Sequence, residues 1–139
     1  MTGDQLARSY LAKAGVRRRV LEVLMDQGAY SDVVREAQEL VELALKAALR
    51  AIGVDPPKWH DVGPVLVEHA GSFPEPFAAA LPRLAEVSRW LRREREFAFY
   101  GDVDVIPTES YGPADGKRAQ VDALAVYEAV SSLVAHRPT

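Results

Sequence analysis

The stretch SDVVREAQELVELALKAALRAI, residues 31–52, decides the fold. Its apolar residues recur at spacings of three and four, which places them along one side of an α-helix. They form a continuous stripe: Val33, Val34, Ala37, Leu40, Val41, Ala44, Leu45, Ala48, Leu49 and Ile52. Ser31 is the predicted N-cap, and Gly53 followed by Pro56 and Pro57 is the predicted stop. We therefore predict an amphipathic helix over 31–52 that buries its stripe against other helices.

Short breaks rich in Gly and Pro divide the rest of the chain into further helices. Helices are predicted over residues 4–27, 61–69, 75–100 and 115–136, with a loop over 101–113. Gly28 is the predicted C-cap of the first helix, and Asp61 the predicted N-cap of the short one. No repeat or second domain is visible, so residues 1–139 are predicted to form a single domain. The predicted fold class is all-α: an up-and-down antiparallel bundle of four long helices plus one short helix.

Composition excludes several classes of function. The 139 residues are 48% hydrophobic and 27% charged, with 17 basic against 20 acidic side chains and a net charge of −3. That balance argues against a dedicated duplex-DNA binder. No cysteine is present, which excludes disulfides, thiolate zinc sites and a cysteine nucleophile. The three histidines stand at no known metal-ligand spacing, so neither a metal nor a cofactor is predicted.

The sequence gives no indication of a membrane association. Its longest apolar runs are four or five residues, far short of the roughly 20 that a membrane span needs. The N-terminal residues carry neither a basic nor an apolar region of the kind found in a signal peptide. We expect a soluble, cytoplasmic protein.

The segment RREREFAFYGD, residues 92–102, is the candidate chemical site. Helical spacing places Arg93, Glu96 and Tyr100 on one face and Arg92, Arg95 and Phe99 on another. A guanidinium, a carboxylate and a phenol on one face suit contact with phosphate or a nucleotide. A salt-bridged surface helix end accounts for the same pattern, and spacing alone leaves both interpretations open.

Arg95 is singled out because it lies where the apolar stripe of the 75–100 helix calls for a core residue. An unpaired buried charge is costly. We therefore expect Arg95 to be shielded from solvent and either paired with a carboxylate or facing its copy in a dimer.

Three segments, in order, resemble the HEPN family, the higher-eukaryote and prokaryote nucleotide-binding domain. The first is YSD followed by AQELVELALKAAL within residues 30–49. The second is PPKWHDV, residues 56–62, and the third is RERE followed by YGD within residues 93–102. By motif the resemblance covers roughly residues 25–111, and by helix order it covers the whole chain.

The resemblance implies a dimer whose motifs on the 75–100 helix face each other across a cleft. Many family members are ribonucleases of toxin–antitoxin or defence systems with an Arg-x(4–6)-His motif, and others are partners of a minimal nucleotidyltransferase. Counted from Arg95 or from Arg93, the His position of that motif is occupied here by Tyr100. Tyrosine, with an ordinary pKa near 10, is a poor general base at neutral pH.

Two function classes follow, and a purely structural bundle remains a third. The first is a binding module without catalysis: a homodimer that pairs with a nucleotidyltransferase and holds a nucleotide or RNA. Its binding residues would be Arg92, Arg93, Arg95, Tyr100 and His60. The second is a metal-independent ribonuclease with Arg93, Arg95 and Tyr100 as candidate catalytic residues. The homodimer is predicted around the helices of residues 31–52 and 75–100, with Trp90 and Phe99 as interface aromatics.

Overall fold

A computed structural model describes residues 3–58 and 61–136, and these residues form an all-helical bundle. The four long helices are α1 (Gly3–Asp26), α2 (Tyr30–Ala51), α4 (Phe77–Tyr100) and α6 (Pro113–Ala135). Two short helices, α3 (Val62–Glu68) and α5 (Pro107–Ser110), lie in the connections, together with a 3₁₀ turn at Ala70–Ser72. The predicted fold class is confirmed.

Helix α2 is the centre of the bundle. It packs against α1, α4 and α6. Its stripe from Val33 to Leu49 is fully buried within the chain. Because three helices surround α2, its apolar stripe is buried in the core of the single chain.

Helix ends follow the expected local chemistry at two glycines. Gly28 and Gly53 have positive φ angles of 68° and 81°, and each comes directly after the last turn of its helix. The residue after each glycine donates its N–H to a carbonyl in that last turn: Ala29 to Leu24 at 2.9 Å, and Val54 to Leu49 at 3.0 Å. These bonds are those of a Schellman cap, as predicted for Gly28.

Other predicted boundaries need correction. Helix α2 begins at Tyr30 without a side-chain cap, so the prediction that Ser31 caps it is wrong. The segment predicted as a loop contains α5, which Pro107 starts with its pre-set φ angle. Asp61 does cap α3, since its carboxylate accepts the N–H of Gly63 at 3.1 Å and the hydroxyl of Ser88 at 2.9 Å.

No helix formed by the described residues is long and apolar enough to cross a membrane.

Candidate functional site

The last two turns of α4 present two faces, as the spacing predicts. Arg92 and Arg95 are partly covered by α2, whereas Arg93, Glu96 and Tyr100 are exposed. The predicted site residues on this helix are therefore divided between an interhelical contact and a solvent-facing surface.

The covered face forms a charged ladder with α2, made of Arg35, Glu39, Glu42 and Lys46 on α2 and Arg92 and Arg95 on α4. Arg92 Nη1 lies 3.4 Å from Glu42 Oε1, and Arg95 Nη2 lies 3.5 Å from Glu39 Oε1. One turn further, the Arg35 guanidinium lies over the Phe99 ring at 4.9 Å from its centroid. Successive residues along α4, from Arg92 to Phe99, contact residues progressively closer to the start of α2. The two helices are therefore antiparallel.

Two further ion pairs of the ladder lie within α2 itself. Lys46 lies 3.9 Å from Glu42, and Arg35 lies 3.8 Å from Glu39. In these contacts four cations share the carboxylates of Glu39 and Glu42, and the carboxylate of Glu36 also interacts with Arg35 and Glu39. The ladder is therefore a network of paired charges between α2 and α4.

Arg95 has the environment that its place in the stripe predicts. Its side chain is 27% exposed and is paired with Glu39, and its Nε is buried without a hydrogen-bond partner among the described residues. Because its guanidinium already forms an ion pair with a carboxylate, Arg95 is a structural residue first and an anion ligand second.

Arg93 and Tyr100 form the solvent-facing part of the site. Arg93 is exposed and makes no ion pair with any residue that the structure describes. Tyr100 is 70% exposed, and its ring meets that of Phe99 edge-on with the centroids 4.9 Å apart. A free guanidinium and an accessible phenol on one helix face can bind a phosphate, and a second surface would be needed to enclose it.

A tight turn fixes the end of α4. Gly101 has φ 75°, and a Cβ placed there would clash with the carbonyl of Val105 and lie 2.8 Å from Cδ of Pro107. Asp102 and Val105 exchange both backbone hydrogen bonds at 3.0 Å. The Tyr100-Gly101-Asp102 motif therefore holds the following loop against the helix end.

Tyr111 is a site-adjacent residue that sequence reasoning missed. Its hydroxyl donates to Glu94 Oε1 at 3.4 Å, which links the end of α5 to the last turns of α4. Burial, and then the Glu94 carboxylate, raise the pKa of Tyr111 to about 12. The phenol is therefore neutral and a hydrogen-bond donor at physiological pH. No local motif marks it, because the contact spans 17 positions.

Trp90 corrects the predicted interface. It is 6% exposed, and its indole N–H donates to Asp122 Oδ2 at 3.2 Å between α4 and α6. Arg83 also bonds Asp122, at 3.0 Å, and the Arg118 guanidinium stacks on the indole at 4.0 Å from the ring centroid. Of the two predicted interface aromatics, Phe99 remains exposed and Trp90 belongs to the core. Asp122 could have been found by the argument used for Arg95, since it stands between Ala119 and Val126 in an apolar stripe.

The histidines contribute little to the described site. His60, a predicted binding residue, lies outside the described residues. His69 and His136 each bond the backbone carbonyl four residues earlier, at 2.9 and 2.7 Å. Across residues 3–58 and 61–136, no cluster of His, Asp and Glu is placed to hold a metal ion.

Comparison with known families matches the HEPN domain over residues 7–134. Neither a curated protein nor a solved structure matches the chain significantly. The match takes in α2, the α2–α4 ladder and the exposed face with Arg93 and Tyr100.

Proposed function

The chain belongs to the HEPN domain family, and from this premise we propose that it is a nucleotide-binding module without catalysis. The family supports a nucleotide-binding or ribonuclease-type module in general. The finer proposal is a homodimer that partners a minimal nucleotidyltransferase in a toxin–antitoxin or defence pair, with a nucleotide or RNA held at the end of α4.

The observation that carries the proposal is Tyr100. It stands at the position where ribonucleases of this family have the motif histidine, and it is widely exposed at the end of α4. A neutral imidazole is an effective general base near pH 7, whereas a phenol is a poor one. Arg93 and Tyr100 retain the groups that bind phosphate and lack the base that cleaves it.

The pairing of Arg95 supports the same conclusion. Catalytic stabilisation of a phosphorane needs a guanidinium free to bond the developing charge. The charge of Arg95 is partly compensated by Glu39, whereas Arg93 makes no ion pair with any residue that the structure describes. Anion binding at this face should be weak and should fall as salt rises, because an exposed arginine interacts with phosphate mainly through charge.

A cleavage assay tests the proposal. Labelled single-stranded RNA is incubated with the parent protein and with Arg93→Ala, Tyr100→Phe and Tyr100→His variants. The matched control is Arg19→Ala, which removes an exposed arginine on α1, away from this face. We expect no cleavage by the parent, salt-sensitive RNA binding that Arg93→Ala weakens, and binding that Arg19→Ala leaves unchanged.

Cleavage by the parent that disappears in both Arg93→Ala and Tyr100→Phe would establish the ribonuclease alternative instead. Cleavage gained in Tyr100→His would show that the face is otherwise competent and lacks only its base. The partner proposal has its own test: the neighbouring gene should encode a minimal nucleotidyltransferase, and the two purified proteins should co-elute.

A further inference from the structure

A second cluster of charged and aromatic residues lies between α4 and α6, away from the end of α4. Its centre is Asp122, which is 9% exposed and accepts the indole N–H of Trp90 at 3.2 Å. Arg83 donates to the same carboxylate at 3.0 Å, and Nε of Arg118 lies 3.8 Å from it. The cluster lines a cavity of about 300 Å³. Small-molecule sites begin at about this size.

Two arginines of the cluster are held in place and still offer donors to a ligand. Arg83 is oriented by its bond from Nη2 to Asp122, and Arg118 by its ion pair and by stacking on the Trp90 indole. Their side chains are nevertheless 67% and 63% exposed. A guanidinium has five N–H groups, so each arginine keeps donors beyond those that face Asp122. Because both are anchored to one carboxylate, these donors lie beside a single cavity.

The charges around the cavity favour an anion. The charge of Asp122 is compensated within the cluster by Arg83 and Arg118. Glu86, the other acidic residue that lines the cavity, pairs with Arg89 at 2.6 Å. Among the lining residues and their ion-pair partners, three guanidinium groups therefore face two carboxylates. The positive excess attracts an anion, and the two paired carboxylates oppose it, so we expect weak binding.

We propose that this cavity binds a small phosphate monoester, with the phosphate held between the guanidinium groups of Arg83 and Arg118. The planar fork of a guanidinium matches two phosphate oxygens at once. Two such groups at one site attract a dianion more strongly than a singly charged carboxylate. The cavity is larger than a phosphate ion, and Val87 lines it with an apolar side chain, so the organic part of the ester has room beside the phosphate.

The proposed site is separate from the face with Arg93 and Tyr100. Arg83 precedes Arg93 by ten residues, which corresponds to about 15 Å along α4. The inference therefore stands independently of the proposed function. Its competitor is a purely structural cluster, in which the same contacts hold α4 against α6 and bind no ligand.

Nuclear magnetic resonance titration at constant ionic strength tests the site through the indole N–H resonance of Trp90. The chain has two tryptophans, so a Trp59→Phe variant identifies that resonance. Inorganic phosphate and glycerol phosphate should move it, whereas glycerol and chloride should not. Arg118→Gln should weaken phosphate binding about tenfold, as loss of a hydrogen bond between charged groups does. Arg118→Lys should restore only part of the loss, because lysine keeps the charge and lacks the fork. Arg19→Gln, at an exposed arginine on α1, is the matched control and should bind as the parent does.

The outcomes separate a binding site from a structural cluster. Arg118→Gln should fold, because its side chain is mostly exposed and Asp122 keeps its bonds to Trp90 and Arg83. If neither phosphate nor glycerol phosphate moves the Trp90 resonance, or if chloride moves it equally, the site does not exist. Equal phosphate affinity in the parent and Arg118→Gln would also overturn it. Arg93→Ala should leave the titration unchanged, and a loss of phosphate binding in that variant would place the ligand at the end of α4 instead.

Discussion

Arg93 and Arg95 stand two residues apart on α4 and have opposite environments. Arg95 is mostly covered and forms an ion pair with Glu39, whereas Arg93 is exposed and has no ion-pair partner in the described part of the chain. Helical geometry alone separates them, because two positions along a helix correspond to a rotation of about 200°. The same side chain therefore has a structural role at one position and is available to a ligand at the other.

This contrast predicts different costs for one substitution. Arg95→Ala should lower the free energy of unfolding by about 1 kcal/mol, because it removes a partly covered ion pair and leaves Glu39 with the more distant Arg35. Arg93→Ala should change the free energy of unfolding by less than about 0.5 kcal/mol. Urea denaturation of both variants measures the difference. Equal stabilities would show that the pair with Glu39 contributes nothing and that Arg95 is ordinary surface.

At the scale of elements, the turn after α4 depends on one glycine. Gly101 combines a positive φ angle with close approach of Val105 and Pro107. Gly53 has a positive φ angle of 81° and nothing within 4 Å, and Gly112 has an extended backbone with φ −116° and the same open surroundings. Alanine substitutions at these three glycines would therefore distinguish the free-energy cost of a left-handed backbone from the cost of a steric clash.

Alanine substitutions at these glycines should rank accordingly. Gly112→Ala should cost about 0.5–1 kcal/mol, because alanine is a poorer N-cap for α6 than glycine. Gly53→Ala should cost about 1–2 kcal/mol for its left-handed conformation. Gly101→Ala should cost about 2–4 kcal/mol, because it adds a steric clash to that conformation. Thermal unfolding of the three variants gives the ranking. A Gly101→Ala protein as stable as Gly53→Ala would mean that the turn relaxes away from the helix end.

The sequence predicts the helices better than it predicts their contacts. The stripe from Val33 to Leu49 predicts α2 because hydrophobic periodicity is a property of adjacent turns. The pairs Arg35–Glu39 and Glu42–Lys46 were predictable for the same reason and are present. The register that sets Arg92 against Glu42, 50 positions away, depends on how two helices pack, and no local pattern contains it.

In the candidate site too, local features were predictable and the partners supplied by other helices were not. The need of Arg95 for a carboxylate follows from the cost of burying a charge, so its pairing was predictable, but the identity of Glu39 was not. Trp90 was assigned to an interface from its residue type, and the structure instead places it on Asp122 in the core. The contact of Tyr111 with Glu94 spans 17 positions and depends on tertiary packing, so no local pattern contains it either.

For the whole molecule, the central position of α2 changes where a dimer can form. Helices α1, α4 and α6 surround α2, so the stripe that suggested an interface is unavailable to a second copy. Exposed apolar side chains instead gather at the end of α4 and in the turn after it: Phe97, Phe99, Tyr100, Val103 and Ile106. Scattered exposed apolar residues are ordinary, but five within ten residues of chain favour an interaction surface.

We therefore predict a homodimer that pairs the ends of two α4 helices and encloses the face with Arg93 and Tyr100. Light scattering at micromolar concentration should give a mass near twice 15.3 kDa. Val103, 92% exposed in the turn after α4, is the position to test, since Val103→Asp would place a charge in the interface and should give a monomer. Val16→Asp is the matched control, because Val16 is 56% exposed on α1, and it should leave the dimer intact. A parent protein of monomeric mass would contradict the dimer itself. A dimer that Val16→Asp disrupts and Val103→Asp does not would move the interface to α1, and the anion-binding face would then be open to solvent in both copies.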